Sequence, residues 1–149
     1  MNQTTNLAFG DKIKLNIFTK ERELELINLG DSNFDDNGNY TDKKVELNKK
    51  ELEVLNYILT NIDLNNYKQE ITDYCNECYA KYGNTKICIE DIENEVKIKT
   101  IFIRITNSNK SNKPEIAFGG NCKCDLEHGI CIGFKDNEFI GVGPQDWIL

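Results

Sequence analysis

The feature that most constrains the fold is an alternation of apolar and non-apolar residues near the C-terminal end of the sequence. In residues 130–135 every second side chain is a large apolar one, and this period of two predicts a strand with one buried face. Asp136 and Asn137 follow, and both residue types tolerate the left-handed backbone of a tight hairpin turn. Residues 139–142 are therefore expected to return as an antiparallel strand.

Two earlier stretches also carry strand patterns. Apolar and polar residues alternate over residues 12–29, which predicts an antiparallel hairpin that turns at residues 19–21 and exposes one face to water. A run of β-branched residues predicts a central strand over residues 96–105. After a loop rich in Asn, Ser and Lys, residues 115–123 are expected to pair back onto that strand.

The middle of the chain carries helical patterns. Asn48 followed by Glu51 is a capping-box arrangement, which predicts the start of a helix. The apolar residues that share one face of this helix are Leu52, Leu55, Ile58, Leu59 and Ile62. Asn and Asp at residues 63–66 compete for backbone hydrogen bonds and weaken the helix, and an apolar stripe from Tyr67 to Tyr82 predicts a second one.

Strands at both ends of the chain and helices between them predict an α+β fold. We expect an antiparallel sheet, made of the N-terminal hairpin and the C-terminal strands, with a two-helix layer packed on one face. A chain of 149 residues has about the length of one domain. Residues 1–149 are therefore predicted to form a single domain.

The charge of the chain restricts its partners. Lys and Arg total 18 against 25 Asp and Glu, which gives a net charge of −7. Such a charge repels phosphate backbones, and the only arginines, Arg22 and Arg104, leave little for bidentate recognition of phosphate or bases. We therefore expect no nucleic-acid partner and favour a basic protein partner; the alternative is that the acidity only confers solubility.

The sequence also bears on location. No stretch approaches the roughly eighteen apolar residues that span a bilayer, and the first residues lack the basic and then apolar order of a secretory signal. We therefore expect a cytoplasmic protein without a membrane partner. The sequence predicts no cofactor and does not indicate an oligomeric state.

Four of the six cysteines form two closely spaced pairs. Cys75 and Cys78 are one helical turn apart, and Cys122 and Cys124 are two residues apart on a predicted strand. Two such pairs could supply the four ligands of a zinc site. A second possibility is that one pair is redox-active. Neither pair has the glycine of a zinc-binding turn, and the first lies on an apolar stripe. The pattern therefore favours buried free thiols, which pack as small hydrophobic groups in a reducing cytosol.

The one histidine stands among carboxylates. Asp125, Glu127 and His128, with Asp146 as a neighbour, suit a divalent cation or a general acid/base pair. No nucleophile motif or glycine-rich phosphate loop accompanies them. The favoured interpretation is structural: Asp125 caps a turn over residues 124–129, Glu127 and His128 fix the start of the hairpin, and Gly129 supplies a backbone conformation that other residues resist.

Two segments lie outside these patterns. Residues 33–38 have oxygen-bearing side chains at alternate positions and a glycine at the sixth, as in a calcium loop. The twelfth position is Lys44, where a calcium loop needs Glu, so we predict an exposed turn. The tail Trp147-Ile148-Leu149 is predicted to dock on the core, because Gly143-Pro144 stiffens its approach; an exposed patch for a partner is the alternative.

A spaced set of residues characterises the C-terminal segment. Its members are Cys122, Asp125, Glu127, His128, Gly129, Gly143, Gln145 and Asp146. The chain resembles an uncharacterised bacterial family of small domains of unknown function. The resemblance lies in the Cys-x-x-Asp-x-Glu-His-Gly segment, the hairpin that follows it and the terminal Gly-x-Gln-Asp. In the order and pattern of its elements, the likeness extends to most of the chain. Cys124 departs from the pattern, since a large aromatic residue is expected there in relatives. The resemblance implies an immunity-like protein of a bacterial toxin system.

These observations lead to one functional prediction and one alternative. We predict a non-enzymatic, acidic protein-binding domain that neutralises a toxin by placing carboxylates in its basic active-site cleft. The candidate contact residues are Asp31, Asp35 and Asp36. The alternative is a metal-binding protein or a metal-dependent enzyme centred on Asp125, Glu127 and His128.

Overall fold

The computed structural model describes residues 7–30, 45–83, 86–105 and 112–149. These residues form a six-stranded sheet and three α-helices, with short 3₁₀ turns between them. The strands are β1 (Lys12–Ile17), β2 (Lys20–Asn28), β3 (Val96–Ile103), β4 (Ile116–Cys122), β5 (Asp125–Lys135) and β6 (Glu138–Gly143). The helices are α1 (Lys49–Asn61), α2 (Lys68–Ala80) and the short α3 (Ile92–Glu95).

The strands lie side by side in the order of the sequence. All neighbouring pairs are antiparallel except β2 and β3, which run parallel with Glu25 opposite Thr100 and Asn28 opposite Ile103. The predicted α+β class is confirmed, but this pair departs from the antiparallel sheet that we expected. The connection explains the difference: it carries the chain through α1 and α2 and back along the sheet, so β3 starts at the same end as β2.

Two hairpin turns use residues with left-handed backbone. Asp136 and Asn137 have φ of 52° and 67°, which confirms the predicted turn between β5 and β6. The first hairpin turns at Phe18 and Thr19, slightly earlier than the predicted residues 19–21. Phe18 takes φ of 60° there and is buried, so packing of its ring outweighs the backbone preference of a bulky residue.

The hairpin that joins β4 to β5 is tighter than predicted. We expected residues 124–129 to form a turn, but Cys122 already pairs with Asp125, and the turn is Lys123-Cys124. A turn of two residues leaves the residues that follow within reach of β4, so they join the ladder. A register shift between Gly120 and Cys122 accommodates the irregular pairing.

The long helices form much as the sequence predicts. The Asn48 side chain accepts a hydrogen bond from the Glu51 backbone N–H, and the Glu51 carboxylate accepts one from the Asn48 N–H, each at 2.8 Å. The predicted capping box is thus confirmed. Tyr82 departs from the predicted stripe: it lies past the end of α2 and is 68% exposed. In the described part of the chain, no helix is long and apolar enough to cross a membrane.

The two faces of the sheet are covered by different parts of the chain. We call the face under α1 and α2 the helix face; Ile101 and Ile132 are fully buried there. The opposite face, which we call the tail face, is covered by the C-terminal tail, where Ile148 is fully buried and Trp147 is half-buried. The predicted docking of the tail is confirmed, except that Leu149 is 56% exposed.

Glycines make room for the Trp147 indole on the tail face. A Cβ added to Gly133 would lie 2.9 Å from Cζ3 of the indole, and one added to Gly143 would lie 3.1 Å from Cε3. Because ordinary side chains at these positions would crowd the ring, the small residues of β5 and β6 form the floor on which Trp147 packs.

Candidate functional site

A cleft of about 390 Å³ opens between α2 and the start of β5, beside the C-terminal tail. The side chains that give it its chemical character are Tyr74, Glu77 and Tyr82 on the α2 side and Asp125, His128 and Asp146 on the other. Among the described residues that line it, Lys81 is the single lysine. The cleft thus brings together three of the four residues that the sequence marked as a metal or acid/base site.

Asp125 and His128 form an ion pair at the mouth of this cleft. The His128 ring Nδ1 lies 3.1 and 3.0 Å from the two carboxylate oxygens, and the His128 backbone N–H donates to the same carboxylate at 3.1 Å. The side chain of His128 is 46% exposed and that of Asp125 is 18% exposed. The pair therefore sits at the surface, where solvent weakens its attraction.

The pKa values of both partners are shifted in the directions expected for an ion pair. The hydrogen bond that the ring donates to Asp125 and the charge of that carboxylate raise the pKa of His128 above its ordinary value. Desolvation alone would raise the pKa of Asp125, but the hydrogen bonds from the His128 backbone and ring outweigh it and lower that pKa. The pair is consequently most stable between the two titrations.

Gln145 ties the tail to the base of this site. Its Nε2 donates to the Gly120 carbonyl oxygen at 2.7 Å. Gly129 has φ of 66°, and a Cβ there would lie 2.6 Å from the Gly120 oxygen and 2.8 Å from Gln145 Nε2. A glycine is therefore needed at this position both for its conformation and for the close approach. Because Asp146 follows Gln145, this contact also places its carboxylate beside the cleft.

Other predicted site residues lie elsewhere. Glu127 is exposed and does not line the cleft. The metal set of Asp125, Glu127, His128 and Asp146 stays a prediction. The partner-binding residues Asp31, Asp35 and Asp36 and the loop 33–38 fall outside the described residues.

Below the cleft the structure gathers the two cysteine pairs into a buried thiol cluster, formed by Cys75, Cys78, Cys122 and Cys124. All four are buried free thiols, as the sequence favoured. The sulfur atoms of Cys122 and Cys124 are 3.4 Å apart, and the Cys78 thiol donates to the Cys124 carbonyl oxygen at 3.3 Å. A helix and a hairpin turn that are distant in sequence thus supply two thiols each to one place.

The sequence did not reveal that a carboxylate lies inside this cluster. Glu95, at the end of α3, is only 4% exposed. One of its oxygens accepts a hydrogen bond from the Tyr79 hydroxyl at 2.7 Å, and the other accepts one from the Cys124 backbone N–H at 2.8 Å. The available signal was its spacing of three residues from Ile92, which puts both on one side of a helical turn; Ile92 is 1% exposed.

Hydrogen bonding and burial raise the pKa values of two thiols in this cluster, Cys122 and Cys124. The hydrogen bond with Cys124 and burial raise the pKa of Cys122 far above its ordinary value. For Cys124, the hydrogen bond with Cys122 lowers the pKa. The hydrogen bond with Cys75 and burial together outweigh it, so the pKa of Cys124 is raised. Without a metal ion, Cys122 and Cys124 therefore lack the thiolate character that a nucleophile requires.

The sequence matches the family described as Domain of unknown function (DUF6985) over residues 2–149, and the chain therefore belongs to that family. This confirms the resemblance to a family of unknown function. No curated protein and no solved structure matches the chain.

Proposed function

We propose that this protein is a non-enzymatic binding domain that receives basic side chains of a partner protein in the cleft beside α2. The observation that carries this proposal is the concentration of Glu77, Asp125 and Asp146 around one opening. Carboxylates arranged in this way attract arginine or lysine side chains and steer their approach.

The net charge of the cleft limits how many cationic side chains it can bind. Lys81 offsets part of the negative charge of the three carboxylates, and His128 offsets more of it whenever its ring is protonated. The cleft therefore suits one or two cationic side chains of a folded partner better than a long polybasic segment. The net charge of −7 adds a longer-range attraction that falls with salt.

Tyrosines supply the apolar part of the contact. Tyr82 is 68% exposed, and Tyr74, which also lines the cleft, is half-buried. An exposed aromatic ring next to carboxylates is suited to an arginine, whose guanidinium stacks on the ring while its N–H groups bind the acid. Tyrosine is also among the residues that carry most of the affinity in protein interfaces.

Two contacts favour binding over catalysis in this cleft. The Cys78 thiol donates to the Cys124 carbonyl oxygen, so it is not held by the histidine as an activated nucleophile would be. The His128 Nδ1 is engaged by Asp125. These contacts support a role for His128 and Asp125 in shaping a charged surface.

The finer form of the proposal is an immunity-like role: a bacterial, cytoplasmic domain that blocks the basic active-site cleft of a toxin. It rests on the family resemblance and on the acidic character of the chain. Asp31, Asp35 and Asp36 remain its predicted contacts in addition to the cleft. Neutralising these three aspartates should slow association with the captured toxin and flatten its salt dependence, and unchanged kinetics would remove them from the interface.

The cleft itself can be tested before any partner is known. ¹⁵N-labelled protein is titrated with a short arginine-rich peptide and, separately, with a glutamate-rich peptide of equal length. We expect the arginine peptide to shift resonances around the cleft, in a salt-dependent manner, and the glutamate peptide to leave them in place.

Paired variants locate the binding. Glu77→Gln with Asp146→Asn should weaken the arginine peptide several-fold, because both carboxylates line the cleft. The matched control is Glu53→Gln with Glu70→Gln, which removes two exposed carboxylates outside it. Equal weakening by the two double variants, or peptide shifts on another surface, would exclude the cleft as the binding site.

A further inference from the structure

Three elements bring potential metal ligands together beneath the cleft. Cys75 comes from α2, Glu95 from the end of α3, and Cys124 from the turn between β4 and β5. Their two sulfur atoms and a carboxylate oxygen all lie within 4.8 Å of one another, and all three residues are buried. Among the described residues, these three form the group of His, Cys, Asp and Glu side chains whose ligand atoms meet this 4.8 Å separation.

The separations approach those of a tetrahedral site. Zinc binds thiolate sulfur at about 2.3 Å and carboxylate oxygen at about 2.0–2.2 Å, which places neighbouring ligand atoms of a tetrahedron about 3.5–3.8 Å apart. The Cys122 sulfur is already 3.4 Å from that of Cys124. Side-chain rotations would bring Cys75, Glu95 and Cys124 to bonding distance, and Cys122, whose sulfur contacts that of Cys124, can supply the fourth ligand.

The surroundings of Glu95 give a second, independent indication. Its described hydrogen-bond donors, the Tyr79 hydroxyl and the Cys124 N–H, are both neutral. A buried carboxylate is costly unless a positive charge compensates it. Each oxygen accepts one hydrogen bond and keeps a further acceptor site, so the two donors orient the carboxylate as outer-shell groups orient metal ligands.

We propose that Cys75, Glu95 and Cys124, completed by Cys122, bind a zinc ion that links α2, α3 and the β4–β5 turn, and that the cysteine thiols release their protons to solvent as the ion binds. Thiolate-rich sites select soft or borderline metals such as zinc over magnesium or calcium. Cys78 both lines the cleft and contacts the Cys124 backbone, so the cleft offers a route for the ion. This site does not depend on the proposed binding of a basic partner.

The test starts with untagged protein kept reduced by a phosphine and titrated with Zn²⁺ alone. After gel filtration, elemental analysis should find one zinc ion per chain. Replacing zinc by Co²⁺ should give the visible bands of a tetrahedral site and a sulfur-to-cobalt charge-transfer band. Wild-type protein that retains no stoichiometric zinc would overturn the proposal.

Matched variants assign the ligands. Cys75→Ala and Cys124→Ala should each lose the tightly held ion, whereas Cys131→Ala, which removes a buried thiol on the tail face, and Cys88→Ala, which removes an exposed one, should retain it. Glu95→Gln should weaken zinc binding at least about tenfold. Retention of zinc by both Cys75→Ala and Cys124→Ala would contradict the assignment.

Metal-free circular dichroism shows whether each variant still folds. If a cysteine variant does not, X-ray absorption of the zinc-loaded wild type decides. Two or three sulfur neighbours with one oxygen support the proposal. A shell of only nitrogen and oxygen overturns it and assigns the ion to Asp125, His128 and Asp146 instead.

Discussion

The helix face and the tail face of the sheet bury cysteines equally well but in different company. On the helix face the four thiols of the cluster lie with the Glu95 carboxylate and the Tyr79 hydroxyl. On the tail face Cys131 belongs to a small apolar cluster with Ile148, and its thiol donates to the Pro144 carbonyl oxygen. Burial raises the pKa of Cys131 to about 12.

The comparison shows that burial by itself does not mark a functional thiol. Cys131 and Cys75 are both fully buried, and each packs as a small hydrophobic residue would. What separates them is the carboxylate at Glu95, since a buried charge is retained only where something compensates it. The helix face therefore holds thiols together with a buried carboxylate inside an apolar core, whereas the tail face anchors the C-terminal tail.

The largest effect is expected from the aromatic group in the core of the helix face. Phe134 is fully buried and contacts the rings of Tyr67, Phe118 and Phe139, with centroids 5.7–6.0 Å apart. Phe134→Ala should lower the free energy of unfolding by about 3–5 kcal/mol, because it leaves a large cavity. Urea denaturation measures the change, with Phe134→Leu as the milder control; a loss below about 1 kcal/mol would show that the helix face can collapse around the gap.

The tail face should respond to a similar truncation more locally. Ile148 is fully buried there, and Ile148→Ala should cost about 2–4 kcal/mol. Hydrogen exchange should speed up first at the backbone N–H groups of Trp147 and Ile148, which bond to Pro144 and Gln145, and leave α2 protected. The control is Leu149→Ala at an exposed position. Equal loss of protection in α2 would mean that the two faces unfold together.

The regular parts of this fold were predictable because local patterns decide them. The alternation in β5, the left-handed residues Asp136 and Asn137 and the Asn48 capping box each act within a few residues, and the structure contains all three. The parallel pairing of β2 and β3 was not predictable in this way. It depends on how a long helical connection crosses the sheet, which no short pattern records.

The site was only partly predictable for the same reason. Asp125 and His128 are three residues apart and meet locally, so sequence spacing suggested the pair. The approach of Glu95 to Cys124 spans 29 residues, and that of Cys78 to Cys124 spans 46. These contacts arise from tertiary packing, so the sequence showed two cysteine pairs without showing that they meet around a carboxylate.

A smaller effect is expected at Gly143 on the tail face, where a substitution separates crowding of the Trp147 indole from strain in the backbone. A Cβ on Gly143 would meet three atoms of Trp147 and nothing nearer, so Gly143→Ala should cost about 1–2 kcal/mol by crowding the indole. In a Trp147→Ala background the same change should cost almost nothing, and the double-mutant cycle measured by urea denaturation gives the coupling. Additive effects would place the strain in the backbone of β6 instead.

The smallest effect concerns the Asp125–His128 pair on the helix side of the molecule. Its histidine has a raised pKa, so its contribution to stability is present below the ordinary value of 6.5 and is lost as pH rises through the raised value. Its aspartate has a lowered pKa, so that contribution is present above the ordinary value of 3.8 and is lost as pH falls through the lowered value. The pair should therefore stabilise the fold most between about pH 4 and pH 6.5.

His128→Gln tests this window, with Glu138→Gln as the control for an exposed carboxylate outside the cleft. The difference in unfolding free energy between the wild type and His128→Gln should be largest near pH 5 and shrink towards pH 9. Because the side chain is 46% exposed, the difference should also shrink in high salt. NMR titration provides the direct measurement: the pKa of His128 should lie above 6.5 in the wild type and fall in Asp125→Asn. A difference that stays constant with pH would show that the histidine acts through packing. Glu95 alone would then distinguish the charged groups of the helix face from the apolar tail face.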